Sequence, residues 1–238
     1  MYLVGAGPGD VNLLTLKAAD LLKNYADVVI RDRLISQDIL DLIPQNTEVI
    51  FAGKEPDFHH MKQDEINSAL VRYALDGRKV VRLKGGDPFI FGRGGEEIEE
   101  LQKHQLEYEV VPGVTACLSA ASVGSVPLTY RAISDGMYVV SGHNYEGQEP
   151  KLDYNALAKG NITIVLYMGT KNMKLISDRL IEHGMSPKTP VYAIQNASMV
   201  DQNICLTSLE EASKDFELSD IKNPAIIVIG EVAKKAQI

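Results

Sequence analysis

The run Arg82-Leu83-Lys84-Gly85-Gly86-Asp87-Pro88-Phe89-Ile90-Phe91-Gly92-Arg93-Gly94 concentrates more ligand chemistry than any other stretch of this 238-residue chain. Four glycines between positions 85 and 94 let backbone approach a ligand closely and take positive φ angles that a side chain forbids. A short apolar strand, Val80 to Leu83, leads into the loop, and an acidic helix follows from Gly95-Glu96-Glu97. A loop at a strand end is where ligands sit in open α/β sheets. Asp87 can pair with a cationic ligand group, Lys84 and Arg93 with an anionic one, so two ligands of opposite character can meet here. The plainer reading is an ordinary glycine-rich connection, which this density of glycine and charge disfavours. Asp32 and Lys54 each follow a strand-like run, where side chains project into a cleft. A carboxylate and an ammonium so placed can act as base and acid if the cleft tunes them. A solvated turn or an ion pair is the plainer alternative.

Other segments carry weaker signals. Gly5-Ala6-Gly7-Pro8-Gly9-Asp10 follows the first strand as a dinucleotide-binding turn would. The fingerprint, however, requires glycine at its sixth position, here Asp10, and Pro8 intrudes. A nicotinamide enzyme is thereby disfavoured. His59 and His60, near Asp57 and Asp64, lack any metal-ligand spacing and read as a polar loop; no metal is expected. Cys117 reads as a small buried side chain, and Met168 taken alone as core packing. His143, at a strand end, faces a ligand or caps a turn.

These residues require elements to position them. Tyr2–Val4, Val28–Ile30, Glu48–Phe51, Val80–Leu83 and Tyr108–Val111 read as short β-branched strands. Between Lys62 and Ala74, the residues Ile66, Leu70, Val71 and Ala74 share one helical face. Alternating strands and helices predict a largely parallel sheet covered on both faces. After Pro112-Gly113 an Ala- and Ser-rich helix is expected over 115–124. Strands are then expected at Met137–Ser141, Ile162–Leu166, Val191–Gln195, Asn203–Thr207 and Ala225–Ile229. A helix from Asn172 to His183 presents Met173, Ile176, Leu180 and Ile181 on one side, and Ser208-Leu209-Glu210-Glu211 has the spacing of a capping box that starts another. The fold class is α/β, as two α/β lobes, 1–114 and 115–238.

A hydrophobic content of 45% with 24% charged residues is that of a soluble globular protein. No apolar run approaches the roughly 20 residues that span a bilayer, and no basic-then-apolar leader opens the chain. Two cysteines suit a reducing compartment, so a cytoplasmic location is expected. The net charge of −8 argues against nucleic acid or an anionic membrane as partner.

The central run, RLKGGDPFIFGRGGEE, resembles the central motif of the uroporphyrinogen-III C-methyltransferases, within the tetrapyrrole methylase family. The resemblance extends, in order, through Tyr2 to Asp10, Leu13 to Ala18, Asp32-Arg33-Leu34, Gly53-Lys54, Val111 to Ala116, Pro127-Leu128-Thr129, Gly142-His143 and Tyr167-Met168-Gly169, and covers Tyr2 to about Val232. It implies two unequal α/β domains with the active site in the cleft between them. The activity implied is an S-adenosylmethionine-dependent methyltransferase that methylates uroporphyrinogen III on two rings. Its products are precorrin-2, for sirohaem or cobalamin, and S-adenosylhomocysteine. By the same resemblance Pro8, Gly85, Gly86, Asp87, Ile90, Thr115, Ala116 and Met168 bind the cofactor, with Ala197 where relatives often carry glycine. Asp32 is the proton acceptor and Lys54 the donor, and His59 aligns with a histidine of the substrate-side loop.

The substrate implied carries eight carboxylates, so an acidic protein must hold it through a local positive cluster. Arg33, Lys84, Arg93 and Arg131, with His59 and His143, are the candidates, and Arg31 is a further cation beside them. Two departures bear on these contacts: Arg31 stands where the family usually has tyrosine, and Thr129-Tyr130-Arg131 replaces Thr-His-Arg. The resemblance also implies a homodimer, and the chain length implies the form without a fused partner enzyme. A methylase of a later corrin precursor or of a modified protein residue is a less favoured alternative, because such relatives vary most in the central loop. A nicotinamide oxidoreductase and a silent binding module remain as readings of other classes.

Overall fold

The computed structural model describes residues 1–52 and 61–237. The chain divides into two compact α/β units, Met1–Ala116 and Cys117–Ile238.

In the first unit five strands, β1 (Tyr2–Gly5), β2 (Val28–Arg31), β3 (Glu48–Phe51), β4 (Val80–Lys84) and β5 (Glu109–Val111), form one wholly parallel sheet in the order β3-β2-β4-β1-β5. Strand alternation divides its side chains between two cores. Val4, Val29, Val81 and Leu83 pack with α1 (Leu16–Asp20), the single π-type turn that continues it, and α2 (Gln37–Leu40). Leu3, Val28, Ile30 and Val80 pack on the opposite face with α3 (Gln63–Leu75) and α4 (Gly94–Lys103). Of the expected helix face, Ile66, Leu70 and Val71 of α3 are buried and Ala74 is half-buried. Both faces are covered, as an all-parallel sheet demands.

The strand order has a local consequence. To reach β2, the chain leaving β1 must pass over β4. To reach β5, the chain leaving β4 must pass over β1. The two exit loops therefore converge instead of diverging, and an isolated bridge joins Gly7 to Gly86.

The second unit opens with α5 (Ala116–Val123) and builds a mixed sheet from β6 (Gly136–Ser141), β7 (Ile162–Tyr167), β8 (Pro190–Gln195), β9 (Asn203–Ser208) and β10 (Ala225–Ile229), ordered β6-β7-β10-β8-β9. Only β6 and β7 are parallel; β10 runs antiparallel to both β7 and β8, and β8 to β9. One face buries Ile164, Leu166, Val191, Ala193, Ile227 and Ile229 under α6 (Tyr154–Lys159), α7 (Met173–Glu182) and α8 (Ala212–Leu218). Met173, Ile176 and Leu180 of α7 are buried, together with Ser177, and Ile181 packs at the margin.

One expectation fails here. Ser208 does not cap a helix: it ends β9, paired with Pro190, and α8 begins at Ala212 with no side-chain cap. Burial of Leu209 and its N–H bond to the Thr189 carbonyl carry the chain one residue past the strand, so the turn falls on Glu210 and Glu211. Strand pairing and core packing outweigh a cap worth about 1 kcal/mol. No described helix is long and apolar enough to cross a membrane.

Candidate active site at the strand ends

Three backbones meet at the carboxyl ends of β1, β4 and β5. A Cβ on Gly113 would lie 2.2 Å from the Gly86 carbonyl oxygen and 2.8 Å from Gly5, and a Cβ on Gly5 2.5 Å from the Gly113 nitrogen. Such spacing admits only glycine. The loop from β4 is folded as tightly: a Cβ on Gly92 or Gly94 would lie 2.7 or 2.5 Å from the Pro88 carbonyl oxygen. Phe91 and Arg93 take left-handed φ angles of 53° and 58°, conformations that non-glycine residues adopt only when their surroundings impose them.

Asp87 fastens this assembly. One carboxylate oxygen accepts from the Phe89 N–H at 2.9 Å and the other from the Gly113 N–H at 3.1 Å, tying the β4 loop to the β5 loop. Gly86 in turn lies beside Thr115 and Ala116, the nearest atoms to its absent Cβ at 3.9 Å. Gly85, Gly86, Asp87, Thr115 and Ala116 thus form one neighbourhood of half-buried residues, with Ile90 exposed at its rim and Pro8 half-buried just past the Gly7–Gly86 bridge. The same bridge bears on the nicotinamide alternative. The Ala6 and Gly7 N–H groups are spent on the Lys84 and Gly86 carbonyls, at 2.7 and 3.1 Å, and cannot cradle a diphosphate.

Asp32 lies next to this loop, because its N–H bonds the Leu83 carbonyl at 3.0 Å beyond the last pair of β2 and β4. Positions 28 and 30 of β2, continued by Asp32 just past its end, share a sheet face with positions 80, 82 and 84 of β4, and that face lies under α4. There Arg82 donates to Asp32 Oδ1 from Nη2 and, at 2.9 Å, to Glu97 Oε1 from Nε. Lys84 Nζ donates to the same Glu97 oxygen at 2.9 Å. Arg82 and Lys84 are 2% and 1% exposed and Glu97 is fully buried, whereas the Asp32 side chain is 33% exposed. Burial alone would lower the Arg82 guanidinium, but Asp32 and Glu97 together carry it above its usual value. Burial, and then the charge of Arg82, pull the Lys84 ammonium below the ordinary lysine range. Lys84, expected to meet an anionic ligand, therefore meets Glu97 in this structure. Arg82 and Glu97 were missed by sequence reasoning. Their signal was the two-residue alternation through Val80, Arg82 and Lys84, and the helical spacing that buries Gly94, Glu97 and Leu101 together.

Of the remaining cations, Arg93 forms a two-point pair with Glu96 on the loop's outer side, which raises the guanidinium and lowers the carboxyl. Arg33 is exposed, with no ion pair among the described residues. Arg31 stacks its guanidinium 4.6 Å from the Phe51 ring centre. Lys54, His59, His60 and Asp57 lie outside the described residues.

In the second unit the carboxyl ends of β6 and β7 are pressed together: a Cβ on Gly142 would lie 2.2 Å from Gly169 Cα. Met168, the half-buried residue that follows β7, takes a left-handed φ of 56°. His143 follows Gly142, and its Nδ1 donates to the Asn144 carbonyl at 2.7 Å. Past β8, Ala197 is buried between Asn196 and Ser198, both with positive φ. Arg131 is exposed with no ion pair among the described residues, and Lys235 lies 5.3 Å over the Tyr130 ring.

The chain is thus two α/β units whose strand-end loops are built on close glycine contacts and left-handed residues. The chain belongs to the tetrapyrrole (corrin/porphyrin) methylases, whose family model matches residues 1–213. It is 40% identical over 232 residues to the uroporphyrinogen-III C-methyltransferase of Priestia megaterium, covering 98% of this chain and 97% of that one. It is 43% identical to the siroheme synthase of Hydrogenovibrio crunogenus, covering 98% of this chain but 49% of that protein, so the chain spans about half the length of that relative. The crystal structure of the Thermus thermophilus uroporphyrin-III C-methyl transferase complexed with S-adenosyl homocysteine matches at a TM-score of 0.83 and 39% identity, covering 98% of this chain and 92% of that one.

Proposed function

We propose that the chain is an S-adenosylmethionine-dependent C-methyltransferase that methylates uroporphyrinogen III twice, giving precorrin-2 for sirohaem or cobalamin synthesis. One observation carries the reading. A partly exposed carboxylate, Asp32, is held by a buried arginine beside a loop whose close backbone contacts are made by Gly86, Asp87, Gly92 and Gly94. The names of the similar methyltransferases support it.

S-Adenosylmethionine supplies an electrophilic methyl group on a sulfonium, and the residues present suit it. Half-buried glycine backbone at Gly85 and Gly86 leaves little bulk near a sulfonium, and Ile90 and Met168 offer apolar, adaptable surface. Pro8, Asp87, Thr115, Ala116 and Ala197 complete the proposed cofactor contacts. When a pyrrole carbon takes a methyl group, the ring must lose a proton. Each methylation releases one net proton: Asp32 accepts a ring proton, a proton that Lys54 donates elsewhere on the macrocycle is matched by a second one the macrocycle gives up to solvent, and the cofactor leaves as its homocysteine thioether. Arg33, Arg93, Arg131, His59 and His143 meet the substrate's carboxylates. Lys84 acts from beneath, through Glu97. The protein works as a twofold dimer in the cytoplasm.

Anaerobic incubation with uroporphyrinogen III and S-adenosylmethionine, followed by mass spectrometry, tests the reading. Two added methyl groups per macrocycle are expected. No methyl transfer to uroporphyrinogen III by folded protein that binds S-adenosylhomocysteine would overturn the substrate assignment.

A further inference from the structure

We infer that Arg82 and Glu97 are positioning residues that set the orientation of the Asp32 carboxylate; the inference rests on the reading above, in which Asp32 accepts the ring proton. The guanidinium of Arg82 is fixed on three sides. Its Nε bonds Glu97 Oε1 at 2.9 Å, its Nη1 the carbonyls of Ile30 and Leu83 at 3.3 Å each, and its Nη2 Asp32 Oδ1. Glu97 is fixed in its turn. Oε1 accepts from Arg82, from Lys84 at 2.9 Å and from Gln63 Nε2 at 3.3 Å, whereas Oε2 is buried with no hydrogen-bond partner. The chain of contact runs from the body of α4 to the partly exposed carboxylate of Asp32. Among the described residues no hydrogen bond reaches Asp32 Oδ2.

The architecture is poorly explained by stability. Burying three ionisable side chains, Arg82, Lys84 and Glu97, gains little over apolar residues of the same volume, because desolvation offsets the attraction. Arg82 occupies the strand position where Val80, two residues earlier, packs as an ordinary apolar residue. What the charges supply is geometry: a planar fork that cannot rotate without breaking a buried contact. Proton transfer depends steeply on placement, and an error of about 1 Å can lower a rate on the order of 100-fold. Positioning residues of this kind act on the chemical step and not on ligand affinity.

The test is a double-mutant cycle on kcat. Glu97→Gln keeps the shape but not the charge that anchors Arg82. It is expected to lower kcat by roughly 10- to 100-fold, with the KM for uroporphyrinogen III and the affinity for S-adenosylhomocysteine within about twofold of wild type. Arg82→Lys, whose ammonium cannot span Glu97 and Asp32 together, should behave alike. In an Asp32→Asn background, Glu97→Gln should cause no further loss, because a residue that acts through Asp32 has nothing left to position. If Glu97→Gln slows the Asp32→Asn enzyme as much as it slows wild type, or leaves kcat unchanged, the positioning role is wrong and Asp32 keeps its own. If Asp32→Asn alone retains wild-type kcat, the underlying reading fails instead. Should Glu97→Gln not fold, the joint change Arg82→Met, Lys84→Met and Glu97→Met leaves no lone buried charge in the cluster, and the same cycle is read from it.

Discussion

Replacing Gly113 by alanine tests whether the meeting of three backbones is what builds the loop end of the first unit. The added Cβ would sit 2.2 Å from the Gly86 carbonyl oxygen and 2.8 Å from Gly5 Cα and carbonyl carbon, all of them backbone atoms. Ordinary contact begins near 3.4 Å, so the loops must part by about 1 Å. No flexible side chain can absorb that movement. Overpacking of a tight site costs about 1–3 kcal/mol. Moving Gly113 also stretches its N–H bond to Asp87, and a hydrogen bond to a charged group contributes about 1.5–3 kcal/mol. The two effects together reach roughly 3–5 kcal/mol, a large fraction of the 5–15 kcal/mol typical of a domain. Thermal unfolding should shift down by on the order of 10 °C, and calorimetric affinity for S-adenosylhomocysteine should fall at least tenfold at a temperature where the variant is folded. Gly95→Ala is the matched control. Its Cβ meets nothing within 4 Å, and it lies in the first turn of α4. Alanine there should be neutral or stabilise by up to about 1 kcal/mol. If Gly113→Ala melts within about 2 °C of wild type and binds the ligand equally well, the crowding argument is refuted.

Asp87→Ala should fold, yet weaken S-adenosylhomocysteine binding by about 10- to 100-fold, because it releases both the Phe89 and Gly113 amides; unchanged calorimetric affinity would remove Asp87 from the binding loop. Tyr192, buried with its hydroxyl donating to the Ala120 carbonyl at 3.1 Å, has its phenol pushed up by burial to about 12. A folded value above the unfolded one of about 10 means stability that is whole below pH 10 and lost as pH rises from 10 through 12. Tyr192→Phe should cost about 1 kcal/mol at pH 7 and flatten that alkaline decline in urea unfolding, whereas an equally steep decline in the variant would assign it to other groups. Raising salt from about 0.05 to 0.5 M shortens the screening length from roughly 14 to 4 Å. It should raise KM for uroporphyrinogen III and leave S-adenosylhomocysteine affinity nearly unchanged, and Arg131→Ala should reduce that salt sensitivity; a salt-independent KM would contradict the cationic cluster.

Local pattern made much of the fold readable. The parallel sheet of the first unit follows from short β-branched runs separated by amphipathic helices, and the boundaries of β2, β3, β4 and β10 fall within a residue of the pattern. The mixed sheet of the second unit was not readable in the same way. Strand direction is set by connections such as residues 196–202, which return the chain from β8 antiparallel into β9, and apolar alternation carries no direction. The capping-box signal at Ser208 failed for a related reason: a four-residue motif records what the local chain can do, and Leu209 is claimed by a core that the motif does not contain.

The candidate site shows the same division more sharply. Glycine density identified the loop after β4, and the structure explains Gly92 and Gly94 by the Pro88 carbonyl they crowd and Gly86 by its left-handed φ of 67°. Charge density gave a less direct signal. Lys84, Asp87 and Arg93 were attractive as ligand groups because the loop is rich in charge, yet in this structure Lys84 pairs with Glu97, Asp87 with backbone amides and Arg93 with Glu96. Glycine leaves backbone groups exposed in a loop, and side-chain charges are needed to fix the loop's shape. Charge in a glycine-rich loop therefore has two uses, to hold the loop and to hold the ligand, and composition alone does not separate them. Periodicity does. A charged residue two positions from an apolar strand residue, or three positions from a buried helix residue, faces inward and must find its partner inside. By that rule Arg82, Lys84 and Glu97 are internal to the scaffold. Asp32 is the member of the set placed one step beyond its strand, where a side chain is both anchored and open to a ligand.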